Sequence, residues 1–462
     1  GTEESYAVIG AYYDSDNTAA GVASTGSARH SDDYPSFGAN CNNGHAKPIL
    51  RADGANTIIR TAEGGTQYIS IHSLSLRNYT GVYVRSKYNK LQYLHVYTAS
   101  PSYGSAWNGI TVGLEDGSVD GQYTTIEYCL MDLNEPSDNG VTVDGINLGR
   151  NSDYSTVRYN HISGYDHAGI QFDDSGHNTV EKNYIFDAPY GSECMNIDAA
   201  GDTDGSNNNT IRYNYMKECG VFQMSHSNNN LVLSNFISCS GGDTQIYDPC
   251  MGLAATSSTA YNVTDNKFYN NTVYDNTDYE SMVGLRIRTD GSINAATVIE
   301  DNDFSNNLVQ KVTGYCIRIV NNDSTQYGTN YYYNNSCYDW DTDSSGNTAV
   351  GILGDQTMSV SDLNDEAYAS GNLSTDPGLK DPASNEPWPD SATDAVVGAG
   401  KNLGATYKWQ IDPDSTDFTA SPPSVTLKEN TDWTIGAYAK SGEDDSNVFY
   451  VAQSAAGDGD GT

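Results

Sequence analysis

Basic residues are scarce in this 462-residue sequence, in which 23 Lys and Arg stand against 60 Asp and Glu and give a formal net charge of −37. A chain of this charge repels both the phosphate backbone of nucleic acids and an anionic membrane surface. Nucleic acid is therefore excluded as a partner.

Bulky apolar residues are also in short supply. Hydrophobic residues make up 37% of the chain, but 35 residues are Tyr and only 9 are Phe, while Gly numbers 45. This composition does not suit a helical domain, and 11% aromatic with 18% charged residues does not suit a disordered chain. No apolar run approaches the roughly 20 residues of a membrane helix, so membrane insertion is not expected.

Cysteine is sparse too, with eight residues, an even number that is too low for a disulfide-dense scaffold. In an acidic, Lys-poor chain this pattern is typical of an exported protein. The sequence starts at Gly1 without the pattern of a signal peptide, so we expect a mature secreted form. The expected location is extracellular or at the cell surface.

A repeated octapeptide marks the middle of the chain, with an early β-branched or aliphatic pair and an Asn at its sixth position. The clear copies are STVRYNHI, NTVEKNYI, NTIRYNYM and NLVLSNFI, and their Asn residues are Asn160, Asn183, Asn214 and Asn235. Spacings of 23, 31 and 21 residues are typical of one solenoid coil with loops of varying length. We predict that these Asn side chains form a buried ladder that hydrogen-bonds neighbouring coils.

Each coil also carries a second short segment in which apolar and polar residues alternate. The copies are GINLG, GIQFD, CMNID, GLRIR and CIRIV. Alternation of apolar and polar residues between Gly residues predicts β-strands. The segments between these strands show no 3.6-residue periodicity, so a crossover helix is not expected. Coils of about 22 to 32 residues, stacked ~4.8 Å apart, predict an all-β, single-domain parallel β-helix.

The xVxxNxI and GIxF elements make the chain from Pro48 to Asn372 resemble the right-handed parallel β-helix proteins of the pectate-lyase-like class. The segments NLSTDPGL, SATDAVVGAG and DWTIGAY resemble the closing part of exported bacterial surface β-helix proteins. The resemblance implies a right-handed solenoid with capping segments, whose enzymes keep their sites on the face of the GIxF strands. It names no reaction, because the complete motifs of pectate lyases, polygalacturonases and mannuronan epimerases are missing.

We predict four parts in the chain: N-terminal coils and a cap over 1–60, the β-helix over 61–372, a C-terminal cap over 373–440, and an acidic tail over 441–462. Natural solenoids block their end coils, yet the sequence opens on a strand-like segment without a capping helix. We therefore expect residues 447–462 of the tail to dock on another subunit and to give a head-to-tail filament.

Stacked coils place the outward-facing residues of the GIxF strands in columns. One column holds Asn147, Gln171, Asn196, Arg286 and Arg318, and the next holds Asp173, Asp198 and Arg288. Asp173 and Asp198 on adjacent coils would lie roughly 5 to 6 Å apart, close enough to share Ca²⁺ or to act as glycosidase acid and nucleophile.

With Arg286 and Arg288, these two Asp are the candidate catalytic residues, and Gln171, Asn196 and Arg318 are candidates for carbohydrate binding. The alternative is a solvated polar ladder without chemistry.

Calcium is the expected metal, because the Cys residues are scattered and oxygen donors abound. Asp339, Asp341 and Asp343 alternate before Gly346 and resemble the start of a Ca²⁺ loop, although Val350 stands where an EF-hand has Glu. The segment DTDGSNN is a second candidate, and solvated acidic turns are the alternative for both. No organic cofactor is expected.

Two cysteine pairs, Cys194 with Cys219 and Cys316 with Cys337, are each separated by about one coil. Adjacent coils bring Cα atoms to ~4.8 Å, which is within the range of a disulfide. Cys239 with Cys250 could form a loop clip, and buried thiols are the alternative. Seven NxS/T sequons are candidate glycosylation sites, although their number is near chance: Asn78, Asn208, Asn262, Asn270, Asn322, Asn334 and Asn372.

Two function classes remain. The first is a non-catalytic extracellular scaffold that assembles with copies of itself into a filament or surface layer. The second is a polysaccharide-active enzyme, a lyase or a glycosidase, with its site on the outer face of the β-helix. The incomplete catalytic motifs and the strong negative charge favour the scaffold, whereas analogy between folds favours the enzyme.

Overall fold

The chain winds into a parallel β-helix with three long sheets in a computed structural model. The structure describes residues 7–10, 49–51, 59–61, 66–77, 81–97, 108–113, 120–133, 143–188, 192–198, 205–239, 249–255, 262–275, 283–289, 297–312, 314–320, 328–338, 350–352, 356–382, 386–391, 393–431 and 433–440. Each coil contributes one strand to each sheet in turn, so that strands adjacent in a sheet belong to successive coils.

Strands are numbered along the chain, and sheet 1 takes the first strand of each coil. It consists of β1 (Ala7–Gly10), β4 (Thr66–His72), β7 (Lys87–Gln92), β10 (Thr125–Glu127), β13 (Thr156–Arg158), β16 (Thr179–Glu181), β19 (Thr210–Arg212), β22 (Leu231–Leu233), β26 (Lys267–Tyr269), β30 (Asp303–Ser305), β33 (Tyr331–Tyr333) and β37 (Ala369–Ser370).

Sheet 2 takes the strand that follows the first turn of each coil. It consists of β2 (Ile49–Arg51), β5 (Ser75–Arg77), β8 (His95–Tyr97), β11 (Leu130–Asp132), β14 (His161–Ser163), β17 (Tyr184–Phe186), β20 (Tyr215–Cys219), β23 (Phe236–Cys239), β27 (Thr272–Asp275), β31 (Leu308–Gln310) and β34 (Ser336–Tyr338).

Sheet 3 contains the GIxF-type strands. It consists of β3 (Ile59–Arg60), β6 (Val82–Val84), β9 (Ile110–Val112), β12 (Ile146–Leu148), β15 (Ala168–Asp173), β18 (Glu193–Asp198), β21 (Phe222–Ser225), β24 (Pro249–Ala255), β28 (Val283–Thr289), β32 (Ile317–Val320), β35 (Val350–Ile352) and β36 (Gln356–Met358). β36 turns back antiparallel on β35 and ends the sheet.

The remaining elements are short. They are the parallel pair β25 (Asn262–Thr264) and β29 (Val298–Glu300), the antiparallel pairs β38 (Leu379–Asp381) with β39 (Glu386–Pro389) and β40 (Trp409–Ile411) with β41 (Leu427–Glu429), the helix α1 (Val360–Asn364) and a 3-10 turn at Ala405–Tyr407. No helix in the described ranges is long and apolar enough to cross a membrane.

The interior is filled by columns of apolar side chains that the strand register places directly above one another. One such column in sheet 1 runs through Ile126, Val157, Val180, Ile211, Val232, Phe268, Phe304 and Tyr332. All of these side chains are at most 1% exposed. Regular stacking at the strand spacing of ~4.8 Å explains how a sequence poor in aliphatic residues still encloses a continuous core.

The Asn residues of the octapeptide lie inside the turn between sheets 1 and 2. The side-chain Oδ1 of Asn214 accepts the backbone N–H of Asn183 at 3.0 Å, and its Nδ2 donates to the carbonyl of Val180 at 3.0 Å. The same pattern runs through Asn160, Asn183, Asn214, Asn235, Asn271, Asn307, Asn335 and Asn372, and Asn364 of α1 closes its upper end. We call this column the first Asn ladder.

A second Asn ladder lies in the turn before sheet 1. It consists of Asn178, Asn209, Asn230, Asn266, Asn302 and Asn330. Like the first ladder, it satisfies buried backbone groups at a turn where the strand pairing is interrupted. The octapeptide shows this ladder only through the Asn that begins three of its copies.

Three disulfides lie at the corner between sheets 2 and 3. Cys194 is bonded to Cys219 with Cα atoms 5.1 Å apart, and Cys316 to Cys337 with Cα atoms 5.8 Å apart, as the sequence predicted. The third joins Cys239 to Cys250. Three disulfides favour an oxidising, extracellular location.

Residues 386–440 lie along the outer face of sheet 2 and do not cap the end of the solenoid, in contrast to the prediction for 373–440. We call this segment the strap. It runs against the winding direction and is fixed by backbone carbonyls that accept from side chains of successive coils. These bonds run from Asn334 to Ala399, from Asn306 to Lys401, from Asn270 to Tyr407 and from Ser234 to Trp409.

The end coil is instead closed by α1, whose Val360 and Leu363 pack into the interior of the solenoid. Ser359 and Asp362 form a capping box at the start of this helix. The strap adds its own apolar contact, in which Phe418 and Tyr438 pack on Tyr215 and Phe236 of sheet 2.

The strap and the first Asn ladder correct the glycosylation prediction. Asn372 is 5% exposed as a ladder residue, and Asn270 is fully buried beneath the strap, so neither can carry a glycan in the folded chain. The Asn334 amide donates to Ala399 at 2.8 Å, which also makes it unsuitable. Asn208 and Asn262 are exposed, and Asn78 and Asn322 lie outside the described residues, as does the tail of 441–462.

Replacing Asn214 by Ala tests the first ladder. It leaves the N–H of Asn183 and the carbonyl of Val180 without their buried partner, so the free energy of unfolding should fall by about 1 to 3 kcal/mol. The measurement is the urea midpoint, with exposed Asn262→Ala as the control, expected to change stability by no more than about 0.5 kcal/mol. Equal midpoints for the two variants would contradict the role of the ladder.

Candidate active site on sheet 3

The strand register places the predicted polar columns on the outer face of sheet 3. Asn147 is paired with Gln171 and Gln171 with Asn196, while Asp173 is paired with Asp198 on the next coil. Residues that alternate with them, such as Phe172, are buried in the core, so the polar residues point away from it. The expected columns are therefore present in the fold.

The Gly of the GIxF motif lets these coils approach closely. A Cβ atom on Gly169 would lie 2.5 Å from Cγ2 of Ile185 and 2.7 Å from the carbonyl oxygen of Cys194. Any side chain at this position would push the next coil away, which is why Gly precedes the polar strand.

The side chain of Asn147 joins two carboxylates. Its Nδ2 donates to Asp173 Oδ2 at 2.8 Å and to Asp144 Oδ2 at 3.2 Å, so these two oxygens are at most about 6 Å apart. Gln171 Nε2 donates to the other oxygen of Asp173 at 2.8 Å. Asp144, Asn147, Gln171 and Asp173 are all less than 9% exposed and form one connected network.

Asp198 is in register with Asp173 on the next coil. Its Oδ1 accepts from Ser225 Oγ at 2.9 Å and lies 3.6 Å from His226 Nδ1, and its side chain is 38% exposed. Hydrogen bonds from Asn147 bring the carboxylates of Asp144 and Asp173 together, whereas the sequence suggested the pair of Asp173 and Asp198.

His167 and Glu193 stand at the other end of the network with shifted proton affinities. The hydrogen bond that His167 Nδ1 donates to Asp144 Oδ1 at 2.8 Å raises the pKa of His167 to about 9, against the opposing effect of burial. Burial raises the pKa of Glu193 to about 7, although nearby His167 lowers it. Glu193 is thus a carboxyl group that exchanges its proton near neutral pH.

The network is short of hydrogen-bond donors. Four oxygens are buried and have no hydrogen-bond partner among the described residues: Asn147 Oδ1, Gln171 Oε1, Asn196 Oδ1 and Glu193 Oε2. Buried polar atoms are normally paired, and clusters of unpaired ones are typical of positions that water, an ion or a ligand occupies.

The arginines of the predicted site lie further along the sheet. Arg286 and Arg318 share the column of Asn196, but β21 and β24 lie between β18 and β28. At ~4.8 Å per strand this separates the Cα atoms of Arg286 and Asn196 by about 14 Å. Arg288 stands in the column of Asp198 at the same distance, so the structure does not bring these arginines to the carboxylates as one catalytic group.

A column of stacked rings on the edge of sheet 1 is a second feature of the surface. Neighbouring ring centroids are 4.7 to 5.1 Å apart through Tyr68, Tyr88, Tyr123, Tyr154 and His177. The inner rings have both faces covered by their neighbours, so the column presents ring edges to solvent. It does not offer the open ring faces on which a sugar would stack.

The predicted calcium ligands Asp339, Asp341 and Asp343 lie outside the described residues, as does the start of the DTDGSNN segment. Within the described residues no cluster of three or more His, Cys, Asp or Glu could hold a metal ion. Calcium therefore stays a prediction.

Asp144 and Glu193 were not predicted as site residues. A signal for the two acids does exist in the sequence. Asp144 stands three residues before Asn147 in DGIN, and Glu193 stands three residues before Asn196 in ECMN. In the coil between them, Ala168 occupies the equivalent position before Gln171. Aligning the strands by their Gly and amide positions would have shown an acid at the start of two of three successive coils.

Comparison with known proteins agrees with this architecture. Residues 57–237 match the sequence profile of the family described as "Right handed beta helix region". No curated protein matches the chain. The fold is therefore a right-handed parallel β-helix, as the sequence predicted.

Several solved structures share the fold. A PL6 family polysaccharide lyase, Pedsa3628 from Pseudopedobacter saltans, is 15% identical with a TM-score of 0.42, over 75% of this chain and 92% of that one. The PL6 family alginate lyase AlyGC is 12% identical with a TM-score of 0.40, over 72% of this chain but only 50% of AlyGC. PfbA, a surface adhesin of Streptococcus pneumoniae, is 11% identical with a TM-score of 0.30, over 62% and 86%. These similarities concern the fold, and the activity has to be inferred from the site.

Replacing Glu193 by Gln tests the pKa of this carboxyl group through stability. Between pH 4.5 and about 7 the folded chain keeps the Glu193 proton that the unfolded chain has lost, so wild-type stability falls as pH rises through this window. The melting temperature of the variant relative to wild type should therefore rise by a few degrees from pH 4.5 to 7 and then level off.

The control for this pH series is Glu366→Gln, at an exposed position near α1. Its melting temperature relative to wild type should show no such rise. If Glu193→Gln follows the control, the raised pKa of Glu193 is wrong. The stability that His167 contributes also falls as pH rises. Its contribution is present below pH 6.5 and is lost as pH rises through about 9.

Proposed function

We propose that the protein is a polysaccharide-active enzyme of the hydrolytic type, and that its site is the network from Asp144 to Glu193 on sheet 3. The observation that carries the proposal is the combination of two carboxylates within about 6 Å with a third carboxyl group whose pKa is raised to about 7. Carboxyl groups with different proton affinities on one surface are the usual equipment for cleaving a glycosidic bond.

Glu193 is suited to be the proton donor, because near neutral pH a large fraction of it is protonated. It would give its proton to the glycosidic oxygen as the bond to the sugar carbon breaks. Asp173 is suited to be the charged partner, since its two oxygens each accept an amide N–H and are held in place. It would stabilise the positive charge that develops on the sugar ring until a water molecule adds to the sugar carbon and gives its proton back to Glu193.

Asp144 and His167 lie beside this pair and affect its electrostatics. His167 is 39% exposed and donates to Asp144, which puts a positive charge at the entrance to an otherwise negative network. Because the pKa of His167 is raised, this charge persists at neutral pH. His167 thus limits the mutual repulsion of the carboxylates and helps Asp144 and Asp173 to coexist at short distance.

The head-to-tail assembly of the scaffold hypothesis depends on residues 447–462, which lie outside the described residues, and the scaffold hypothesis stays a prediction. Its test is deletion of these residues, after which polymers should disappear while the β-sheet signal of the rod persists. The same fold can carry either function, so only the site distinguishes them.

The enzyme proposal is tested with Asp173→Asn and Glu193→Gln on a panel of polysaccharides. Each substitution keeps the shape but removes the charge or the exchangeable proton, and each should lower kcat/KM by at least about 100-fold. Release of reducing ends is the measurement.

The matched control is Asp265→Asn, at an exposed position beside sheet 1 that should leave activity unchanged. Full activity of both site variants would reject this assignment of the residues. If the wild-type protein releases no products from any polysaccharide of the panel, the enzyme proposal itself is rejected.

A further inference from the structure

A cavity of about 250 Å³ lies between the strap and the outer face of sheet 2. Its walls are mainly aromatic. Tyr184 and Tyr215 come from sheet 2, and Trp388, Phe418 and Tyr438 come from the strap. Pockets for drug-sized ligands begin at roughly 300 Å³, so a ligand of this cavity must be small.

The cavity opens to solvent and offers ring surface to a ligand. Glu386 is half-buried, and Asp417 and Thr419 are exposed, although all three line the cavity, so a ligand can enter from this side. The rings of Trp388 and Tyr438 are tilted by 48° with their centroids 5.6 Å apart. They do not form a closed stack like the column on sheet 1, which leaves ring surface available to a ligand.

Trp388 has a restricted backbone and already contacts a cation. It lies in β39 between Pro387 and Pro389, whose rings limit the backbone dihedral angles. Lys380 Nζ lies 5.8 Å from the centroid of its ring and 3.1 Å from Glu386 Oε1. The ring and the carboxylate that border the cavity are thus suited to an ammonium group.

The charges on the cavity walls are negative. Glu386 and Asp417 line the cavity, and no Lys, Arg or His is among the described residues that do so. Burial, followed by the charges of Glu218 and Asp187, raises the pKa of Tyr184 to about 12, so its phenol is neutral and two further carboxylates lie close by. An anionic ligand would be repelled from this environment.

The nearby cations do not balance these carboxylates. Lys380 pairs with Glu386 and Lys217 with Glu218, each at 3.1 Å. Burial lowers the pKa of His161 beneath the strap, so this imidazole is uncharged at neutral pH. Around the cavity, two lysines therefore stand against four carboxylates within the described residues, and the surroundings remain negative.

We propose that this cavity binds a small organic ammonium ion, whose cationic group contacts the ring of Trp388 near the carboxylates of Glu386 and Asp417. Aromatic rings attract cations through their negative faces, and carboxylates add a direct attraction. Two sources share this chemistry, a free ammonium compound such as choline and an amino sugar such as glucosamine. The site is on a different sheet from the network of Asp144 to Glu193 and is independent of the proposed function.

The test compares charged probes with neutral molecules of the same shape, by titration calorimetry of the full chain. Choline is paired with its uncharged isostere dimethylbutanol, and glucosamine with glucose, at a slightly acidic pH where the amine is protonated. At least one ammonium probe should bind about tenfold or more tightly than its neutral counterpart. Constant ionic strength keeps the non-specific attraction of cations to the acidic chain equal in all samples.

Two substitutions locate the site. Trp388→Leu removes the ring, and Glu386→Gln removes a charge while keeping the shape, so each should weaken binding of the ammonium probe at least about fivefold. The matched controls are Trp409→Leu and Glu429→Gln, since Lys408 lies 5.6 Å from the ring centroid of Trp409 and pairs with Glu429, and neither control residue lines the cavity. Both controls should bind like wild type. Glu386→Gln carries the test if the melting temperature shows that Trp388→Leu does not fold.

Three results would overturn the inference. Equal binding of the ammonium probes and their neutral counterparts would make the cavity an apolar or sugar pocket. Undiminished binding in both cavity variants would place the cation elsewhere on the acidic surface, and absence of binding by both ammonium probes would leave the cavity without this ligand class. Tighter binding of choline than of glucosamine supports a free ammonium compound as the ligand, and the reverse supports an amino sugar.

Discussion

The hydrogen bond between the amide of one coil and the backbone of the next is the interaction on which the whole molecule depends. A turn interrupts strand pairing, and without the Asn ladders the backbone groups at the turn would be buried and unpaired. Because each Asn contacts both adjacent coils, the ladders also fix the register, and with it the columns on every sheet. The proposed site is a product of that register, since Asn147, Gln171 and Asn196 come from three separate coils.

The elements that repeat could be predicted from the sequence, because the same physical requirement recurs in every coil. The Asn at the sixth position and the one-coil cysteine spacings each predicted a contact that the structure contains. Two looser matches to the octapeptide, YNVTDNKF and TVIEDNDF, are harder to place. Asn266 and Asn302 belong to the second ladder, one turn earlier than Asn160 and Asn183, because a polar residue after a strand looks the same in sequence at either turn.

The features that do not repeat were the ones the sequence concealed. Asp144 and Glu193 are on the same face as Asp173, but Ala168 stands between them in their column. The sequence therefore has no acidic residue that repeats at this position in every coil. The number of strands between the carboxylates and the arginines is also hidden, because loops of unequal length conceal how many coils a stretch of sequence contains. The strap was interpreted as a cap because it follows the last coil and contains segments that resemble the closing part of exported β-helix proteins. Its partners are over a hundred residues earlier in the chain, at positions such as Ser234 and Asn270.

The strap gives the solenoid a mechanical property that stacking alone would not supply. A rod of coils that touch only their neighbours can be unwound from its end one coil at a time under tension. The strap crosses several coils in the opposite direction and holds them through bonds at Asn334, Asn306, Asn270 and Ser234. A pulling force at the C-terminal end must therefore shear these attachments before the last coils can unwind, so the load is shared along the rod instead of falling on its outermost turn.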